Sequence, residues 1–263
     1  MDETVRLGGM ALGNGVLVHG PTAWACAVRE PDGTIKVASA RKTFKASGVG
    51  SPLLRGPARL LEAVLVLPAM RRELPEARLP FERKGVLGAM LATAAVTRGV
   101  RASRLRPLVK ELTAGMIALA PAALSLRGGE LAAYHGAEHV AIGSYEHGGR
   151  ATKEHERCGS HLVGPIILTT AIGNSLAARA PERLRGPARA VSAVAALAAA
   201  TEMFGWMVRH PDHPASRALA WPGHELQHRL STEEPSPEQL EVAELALATC
   251  LKLEQEHGHA DAG

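Results

Sequence analysis

The sequence has few aromatic residues and no concentration of positive charge. Phe, Trp and Tyr make up only 3% of its 263 residues. Proteins that bind single-stranded nucleic acids stack bases on aromatic side chains, so this composition argues against that function. The basic residues are mostly Arg, are spread along the chain, and leave a formal charge of only +4. We therefore expect no nucleic-acid partner.

Cysteine is also scarce. Cys26, Cys158 and Cys250 are far apart in the chain and form no C-x-x-C pair. An odd number of widely spaced cysteines is typical of a reducing compartment rather than of a disulfide framework. The first nine residues include acidic side chains and no apolar core, so we expect no secretory signal there.

Long apolar runs are few. Only two of four apolar segments approach the roughly 20 residues that a membrane-spanning helix needs. All four are rich in Ala, Gly and Thr, so they are also compatible with buried helices of a soluble bundle. The basic loops between them indicate no clear orientation in a membrane. The segments are 85–97, 112–126, 159–178 and 190–208, and the last two are the longest.

The hydrophobic pattern predicts an α+β fold. Short extended runs and the turn signal Pro31-Asp32-Gly33 indicate a small β unit within residues 8–40. Apolar residues recur at helical spacing beyond residue 50, and Ser236 to Gln239 combines a helix cap with a first-turn proline. We expect a β-rich unit over residues 1–50 and a helical bundle over 51–263, with some helices as candidates to span a membrane.

A metal-binding pattern lies within the stretch Tyr134 to His139, YHGAEH. On a helix, His135, Glu138 and His139 share one face. Imidazoles are favoured zinc ligands, and a glutamate beside them can take a proton from a metal-activated water. The same H-x-x-E-H order occurs in inverted zinc proteases.

Further histidines follow this motif, and five of the chain's 12 lie between residues 135 and 161. His155 and Cys158 are one helical turn apart, and a thiolate is a strong zinc ligand. The residues alone leave two interpretations open, a metal site or a cluster of hydrogen-bonded structural histidines.

Two weaker candidates lie later in the chain. His224 to His228 reads H-E-L-Q-H, the zincin pattern, but Pro222-Gly223 just before it predicts a helix of at most two turns. Exposed polar residues on a short helix are the competing interpretation. Glu202 interrupts an apolar run and is either a ligand or the exposed edge of an Ala-rich helix.

These blocks together resemble the YqhQ-like proteins, a family of unknown function described as predicted metal-dependent enzymes and commonly multi-pass membrane proteins. The resemblance implies a metal site at or near a membrane. The matching residues include Leu54-Arg55-Gly56, Tyr134 to His139, Tyr145-Glu146, Arg157 to Ser160, Pro222-Gly223 and Leu226-Gln227. The implied site residues are His135, Glu138, His139, His155, Cys158 and Glu202.

The leading hypothesis is a metal-dependent hydrolase in the cytoplasmic membrane, or alternatively in the cytoplasm. A divalent ion, zinc being favoured, would be bound by His135 and His139 and completed by His155 or Cys158, with Glu138 as the base. Membrane lipid is an expected contact, while no motif indicates the substrate. Two alternatives stay open: a non-catalytic membrane or assembly factor with a structural metal site, and a relative without metal.

Overall fold

A computed structural model of the chain describes residues 4–82, 84–126 and 129–260. Its N-terminal part is a four-stranded antiparallel meander in the order β1-β2-β3-β4. Met10 lies opposite Leu17, and Leu17 lies opposite Cys26, which fixes the register of three strands. The strands are β1 (Gly8–Leu12), β2 (Gly15–His19), β3 (Ala23–Arg29) and β4 (Ile35–Arg41).

The predicted turn between β3 and β4 is confirmed. Gly33 adopts φ 90°, a left-handed conformation that favours glycine, and its N–H donates to the Glu30 carbonyl. Asp32 Oδ1 accepts from the Thr34 N–H at 2.9 Å, as aspartate often does in turns.

The rest of the described chain is mainly helical, and the predicted α+β class is confirmed. The helices are α1 (Pro52–Glu73), α2 (Lys84–Ala102), α3 (Pro107–Ala118), α4 (Ala120–Leu126), α5 (Glu130–His147), α6 (Val163–Ala177), α7 (Arg185–Arg209), α8 (Pro214–Leu226) and α9 (Pro237–Ala260).

Helices cover both faces of the sheet. One face packs against α5 and α9, where Val16 and Val18 meet Tyr134 and Val242. The other face packs against α1 through a second apolar cluster that includes Trp24 and Met70. Because both faces are buried, β2 and β3 are almost continuously apolar instead of alternating.

The start of α9 has the predicted capping box. The Ser236 N–H donates to Gln239 Oε1 at 2.9 Å, and the Gln239 N–H donates to Ser236 Oγ at 3.3 Å. Near the other end of α9, Glu254 accepts hydrogen bonds from the backbone N–H groups of Thr22 and Ala23 at 2.8 and 2.7 Å. The last helix is therefore tied to the start of β3.

Among the described residues, two segments are long and apolar enough to cross a membrane, Pro107–Leu126 and Glu182–Arg209. Only 11% and 22% of their apolar windows are buried within the protein. The predicted run 190–208 falls in the second segment. The predicted run 159–178 is divided, because Gly159–Leu162 forms a 3-10 turn and α6 has only 15 residues.

Helix α8 differs from the prediction of a short helix after Pro222. Pro222 lies inside α8, which begins at Pro214 and is capped by the His213 side chain. A proline inside a helix removes one backbone hydrogen bond without necessarily ending the helix. The helix then widens into a π-helical turn, Gln227–Ser231, whose last carbonyl faces α5.

Candidate metal centre

Two histidines of α5 and one cysteine from a loop present their ligand atoms to one another. His135 and His139 are one helical turn apart, and their ring centroids are separated by 4.4 Å. Cys158 precedes the 3-10 turn, and its Sγ lies 3.6 Å from His135 Nε2. The ligand atoms of these three residues, called the His/Cys cluster below, all lie within 4.8 Å of one another.

Backbone carbonyls orient both imidazole rings. His135 Nδ1 donates to the Ser231 carbonyl and His139 Nδ1 donates to the Lys153 carbonyl, each at 2.7 Å. A carbonyl only accepts, so each Nδ1 carries a hydrogen, and Nε2 is the atom of each ring through which it could bind a metal. Metal-binding histidines are commonly held in this way.

These residues fit a zinc-like ion. Ligand bonds of about 2.0 Å to nitrogen and about 2.3 Å to sulfur, at a tetrahedral angle, place the two ligand atoms about 3.5 Å apart. The distance between His135 Nε2 and Cys158 Sγ is 3.6 Å. The donor set, two imidazoles and one thiol, is also one that zinc favours.

Burial shifts the pKa values of two members of the cluster, His139 and Cys158. It lowers the pKa of His139 to about 2, and the neighbouring His135 lowers this pKa further. His139 is therefore neutral, as a ligand must be. Burial raises the pKa of the Cys158 thiol, while the Ser160 N–H, which donates to its Sγ at 3.5 Å, opposes that rise. Binding a cation would accordingly release the thiol proton.

Glu138 is buried beside the cluster. Its carboxyl group packs against Gly9 of β1, where a Cβ atom would collide with it. Burial raises the pKa of Glu138 to about 7; His135 acts to lower it and Cys158 to raise it. It has no hydrogen-bond partner among the described residues. A carboxyl group of this kind can both accept and return a proton near neutral pH.

His155, a predicted ligand, is close to the cluster but otherwise engaged. Its ring centroid is 5.6 Å from that of His139. Its Nε2, however, bonds to Glu146 Oε2 at 3.1 Å, and Arg157 pairs with the same carboxylate. Within the described chain, His155 is not a member of the group of converging ligand atoms.

Glu202 is exposed on α7. It is likewise outside the group of converging ligand atoms found among the described residues. Of the two interpretations of Glu202, its position corresponds to the exposed edge of an Ala-rich helix.

The H-E-L-Q-H stretch forms no zincin arrangement. His228 Nδ1 bonds to Glu154 Oε1 at 2.7 Å, and His224 Nδ1 lies 3.6 Å from the other oxygen of that carboxylate. Glu225 instead pairs with Arg229 at 2.7 Å. His224 and His228 are both exposed, as expected of polar residues on a helix surface.

Sequence reasoning missed the role of Gln227. This side chain is only 1% exposed. Its Oε1 accepts from the His155 N–H at 2.9 Å, and its Nε2 donates to Ser160 Oγ at 2.7 Å. It thus joins both sides of Cys158 to the π-helical turn. A glutamine inside a polar stretch reads as a surface residue, so no signal in the sequence revealed its burial.

The motif has a glycine, Gly136, between its first histidine and its glutamate because the backbone of another segment passes very close to it. A Cβ atom at this position would collide with the Glu233 carbonyl oxygen. The absence of a side chain lets the segment after the π-helical turn run along α5, where the Glu233 N–H donates to the Ala132 carbonyl at 3.0 Å. This close approach brings the Ser231 carbonyl to His135.

Two cavities flank the loop that carries Cys158. The larger, about 690 Å³, is lined by Glu146, His155 and Glu156 but by no member of the His/Cys cluster. The smaller, about 400 Å³, lies between α7 and α8 and also touches Glu156. The loop therefore separates a polar cleft from a more apolar one.

Residues 130–253 match the model of DUF1385, a protein family of unknown function. The match begins with α5 and extends into α9, so it contains the whole His/Cys cluster, Glu138 and Gln227. No curated protein and no solved structure matches the chain.

Proposed function

We propose that this protein is a YqhQ-like, metal-dependent hydrolase of the cytoplasmic membrane. His135, His139 and Cys158 bind a zinc-like ion, and Glu138 is the general base. One observation carries the proposal: two imidazoles, both with Nδ1 bound to a backbone carbonyl, lie beside a thiol whose Sγ is 3.6 Å from His135 Nε2, and the ligand atoms of all three residues lie within 4.8 Å of one another.

The number of protein ligands favours an enzyme over the structural alternative. Structural zinc sites have four protein ligands, whereas catalytic sites have three and keep one position open. His155 is the candidate fourth ligand from the sequence, and its Nε2 is held by Glu146. A non-catalytic assembly factor with a closed site would require His155 to leave this carboxylate.

The side chains around the cluster suit hydrolysis. When bound, a divalent ion supplies Lewis acidity and lowers the pKa of a coordinated water. Glu138 takes up the proton at its carboxylate, because its pKa of about 7 favours proton exchange at neutral pH. It then returns the proton to the leaving group. The Ser231 and Lys153 carbonyls keep the two rings fixed during the reaction.

Exposed apolar surface supports the membrane location. The helices of a soluble protein bury their apolar side, yet only 11% and 22% of the two candidate spanning windows are buried here. Large apolar side chains are also exposed on α1 and α2, including Leu61 at 51% and Leu91 at 68%. Lipid is the environment in which such surface is stable.

Metal analysis of the full chain, purified in detergent without chelators, tests the metal centre. We expect about one zinc-like ion per chain, and loss of that ion when His135→Ala and His139→Ala are combined. His147→Ala is the matched control, since His147 is exposed on the same helix and should leave the ion in place. A wild-type chain that binds no divalent ion would contradict the proposal.

Activity is tested with chromogenic acyl, phosphoryl, glycosyl and peptide substrates. Glu138→Gln should retain the ion and lose at least about 100-fold in the rate of whichever substrate is cleaved, since general bases contribute about that much. Full activity in this variant would exclude Glu138 as the base. Alkaline extraction of cell membranes tests the location, and release of the chain into the supernatant would argue against spanning helices.

A further inference from the structure

A cleft of about 400 Å³ separates the end of α7 from α8. Its volume lies within the usual range of small-molecule sites. Its walls are mainly apolar, with Phe204, Met207 and Val208 from α7 and Ala220 and Trp221 from α8. We call it the α7–α8 cleft.

One polar group in the α7–α8 cleft lacks a partner. Ser216 is 2% exposed, and its Oγ is buried without a hydrogen bond among the described residues. A buried hydroxyl in this state is costly, and such groups are uncommon in folded proteins. A rotation of the Ser216 side chain toward the cleft would let a polar group of a ligand satisfy it.

Other polar side chains lie at the border of the cleft. Glu156, His161, Arg217 and His224 line it together with the apolar walls. His161 Nδ1 donates to the Glu156 carbonyl at 2.8 Å, and its Nε2 accepts from Gln227 Nε2 at 3.4 Å. Glu156, Arg217 and His224 are therefore the polar groups left to a ligand. The cleft thus combines an apolar body with hydrogen-bonding groups, which matches an amphiphile rather than a purely polar metabolite.

The apolar wall continues into surface that the proposed membrane location assigns to lipid. Phe204, Met207 and Val208 belong to Glu182–Arg209, one of the two segments apolar enough to cross a membrane. Acyl chains would therefore be available at the mouth of the cleft. This continuity distinguishes an acyl chain from a soluble apolar compound as the occupant.

The cleft also adjoins the His/Cys cluster. Glu156 and His161 flank Cys158 in the chain. Helix α8 contacts the same loop at Gly223, where a Cβ atom would lie 2.7 Å from the His161 backbone nitrogen. A molecule in the cleft would accordingly lie against the loop that supplies the thiol ligand.

We propose that the α7–α8 cleft binds the acyl chain of a membrane phospholipid, with Ser216 hydrogen-bonded to a polar group of that lipid. The further conclusion that this lipid is the substrate rests on the hydrolase function proposed above. Binding of the acyl chain does not depend on hydrolysis, but it rests on the proposed membrane location.

Photo-crosslinking of the full chain in lipid nanodiscs tests the inference. The probe is a phosphatidylethanolamine with a photoreactive diazirine on one acyl chain, and labelled residues are located by mass spectrometry. We expect labels on the residues that line the cleft, in addition to labels on exposed surface such as Val191 of α7, which is 70% exposed.

Ala220→Trp should fill the cleft and reduce its labelling at least tenfold while the label near Val191 persists as an internal standard. Ala218→Trp is the matched control, because Ala218 is exposed on the same helix outside the cleft and should change nothing. Ser216→Ala should weaken labelling by about threefold to tenfold, the effect of one hydrogen bond.

The inference is overturned if the wild-type cleft is unlabelled, or if Ala220→Trp and Ala218→Trp label equally. Metal analysis of the wild-type chain separates the two proposals. Cleft labelling of a wild-type chain that binds no divalent ion would leave the lipid site standing and reject the hydrolase. A wild-type chain that binds the ion but shows no cleft labelling would reject the lipid site and leave the metal centre standing.

Discussion

His135 Nε2 and Cys158 Sγ lie 3.6 Å apart, although 23 positions separate them in the chain. The histidine is fixed by its helix and by the Ser231 carbonyl, whereas the cysteine is fixed by a loop. A ligand pair of this kind depends on tertiary structure. Its affinity for a metal ion should therefore change when the residues that hold the loop are replaced.

Ligand identity gives the first prediction. His139→Ala should lower zinc affinity at least about 100-fold, because it removes one of three converging ligand atoms. His155→Ala and Glu202→Ala should each retain about one ion, since His155 is bound to Glu146 and Glu202 is exposed. Competition with a chromogenic chelator measures all three affinities. Loss of the ion in His155→Ala or in Glu202→Ala would show that the replaced residue binds the ion.

Gln227 gives the second prediction. Gln227→Met preserves volume but removes the bonds to the His155 N–H and to Ser160 Oγ. We expect zinc affinity to fall by about 10- to 100-fold, as when other indirect supports of metal ligands are removed. Arg229→Met on the same π-helical turn is the control, because Arg229 is largely exposed. Equal zinc affinity in the two variants would show that Gln227 does not position Cys158.

His19 gives a prediction for acid stability. Burial, then the charge of Lys42, lowers the pKa of His19 from 6.5 to about 4. Below pH 6.5 the unfolded chain takes up a proton on His19 that the folded chain does not bind. The free energy of unfolding is therefore unaffected by His19 above pH 6.5 and decreases as the pH falls toward 4. The total decrease due to His19 is about 3 kcal/mol.

His19→Gln should remove this contribution while keeping an acceptor for Lys42 Nζ, which lies 2.9 Å from His19 Nδ1. Thermal unfolding midpoints measured from pH 4 to 7 should then depend less steeply on pH than in the wild type. His210→Gln is the control, because His210 is exposed. Parallel pH curves for wild type and His19→Gln would refute the prediction.

Glu254 gives the last prediction. Glu254→Ala leaves the Thr22 and Ala23 N–H groups without their acceptor. The free energy of unfolding should fall by roughly 2–4 kcal/mol, since buried donors that lose a charged partner are costly. Glu256→Ala, an exposed change on the same helix, should have little effect. Denaturant unfolding followed by circular dichroism compares the two.

Local patterns predicted much of the fold. The capping box of α9, the turn at Gly33 and the shared face of His135 and His139 each depend on residues within a few positions of one another. The β1 strand lies within the predicted β unit, but its contact with the site was not predicted. Gly9 of this strand leaves the space that the Glu138 carboxyl group occupies.

Distant backbone contacts explain what the sequence did not reveal about the site. The Ser231 and Lys153 carbonyls orient the two imidazole rings, and a carbonyl group is the same in every residue type. Their role therefore has no signature in the amino-acid sequence. The predicted ligands His155 and Glu202 had suitable chemistry, but Glu146 and the exposure of α7 determine where their side chains lie.

The contact between Glu254 and the start of β3 has a consequence for synthesis on the ribosome. The sheet is translated before α9, yet α9 covers part of one of its faces, and the N–H groups of Thr22 and Ala23 need a carboxylate made more than 200 residues later. Part of one apolar face of the nascent sheet must therefore stay open until α9 has been synthesised. Truncated nascent chains should bind chaperones through that face, and completion of the last helix should release them.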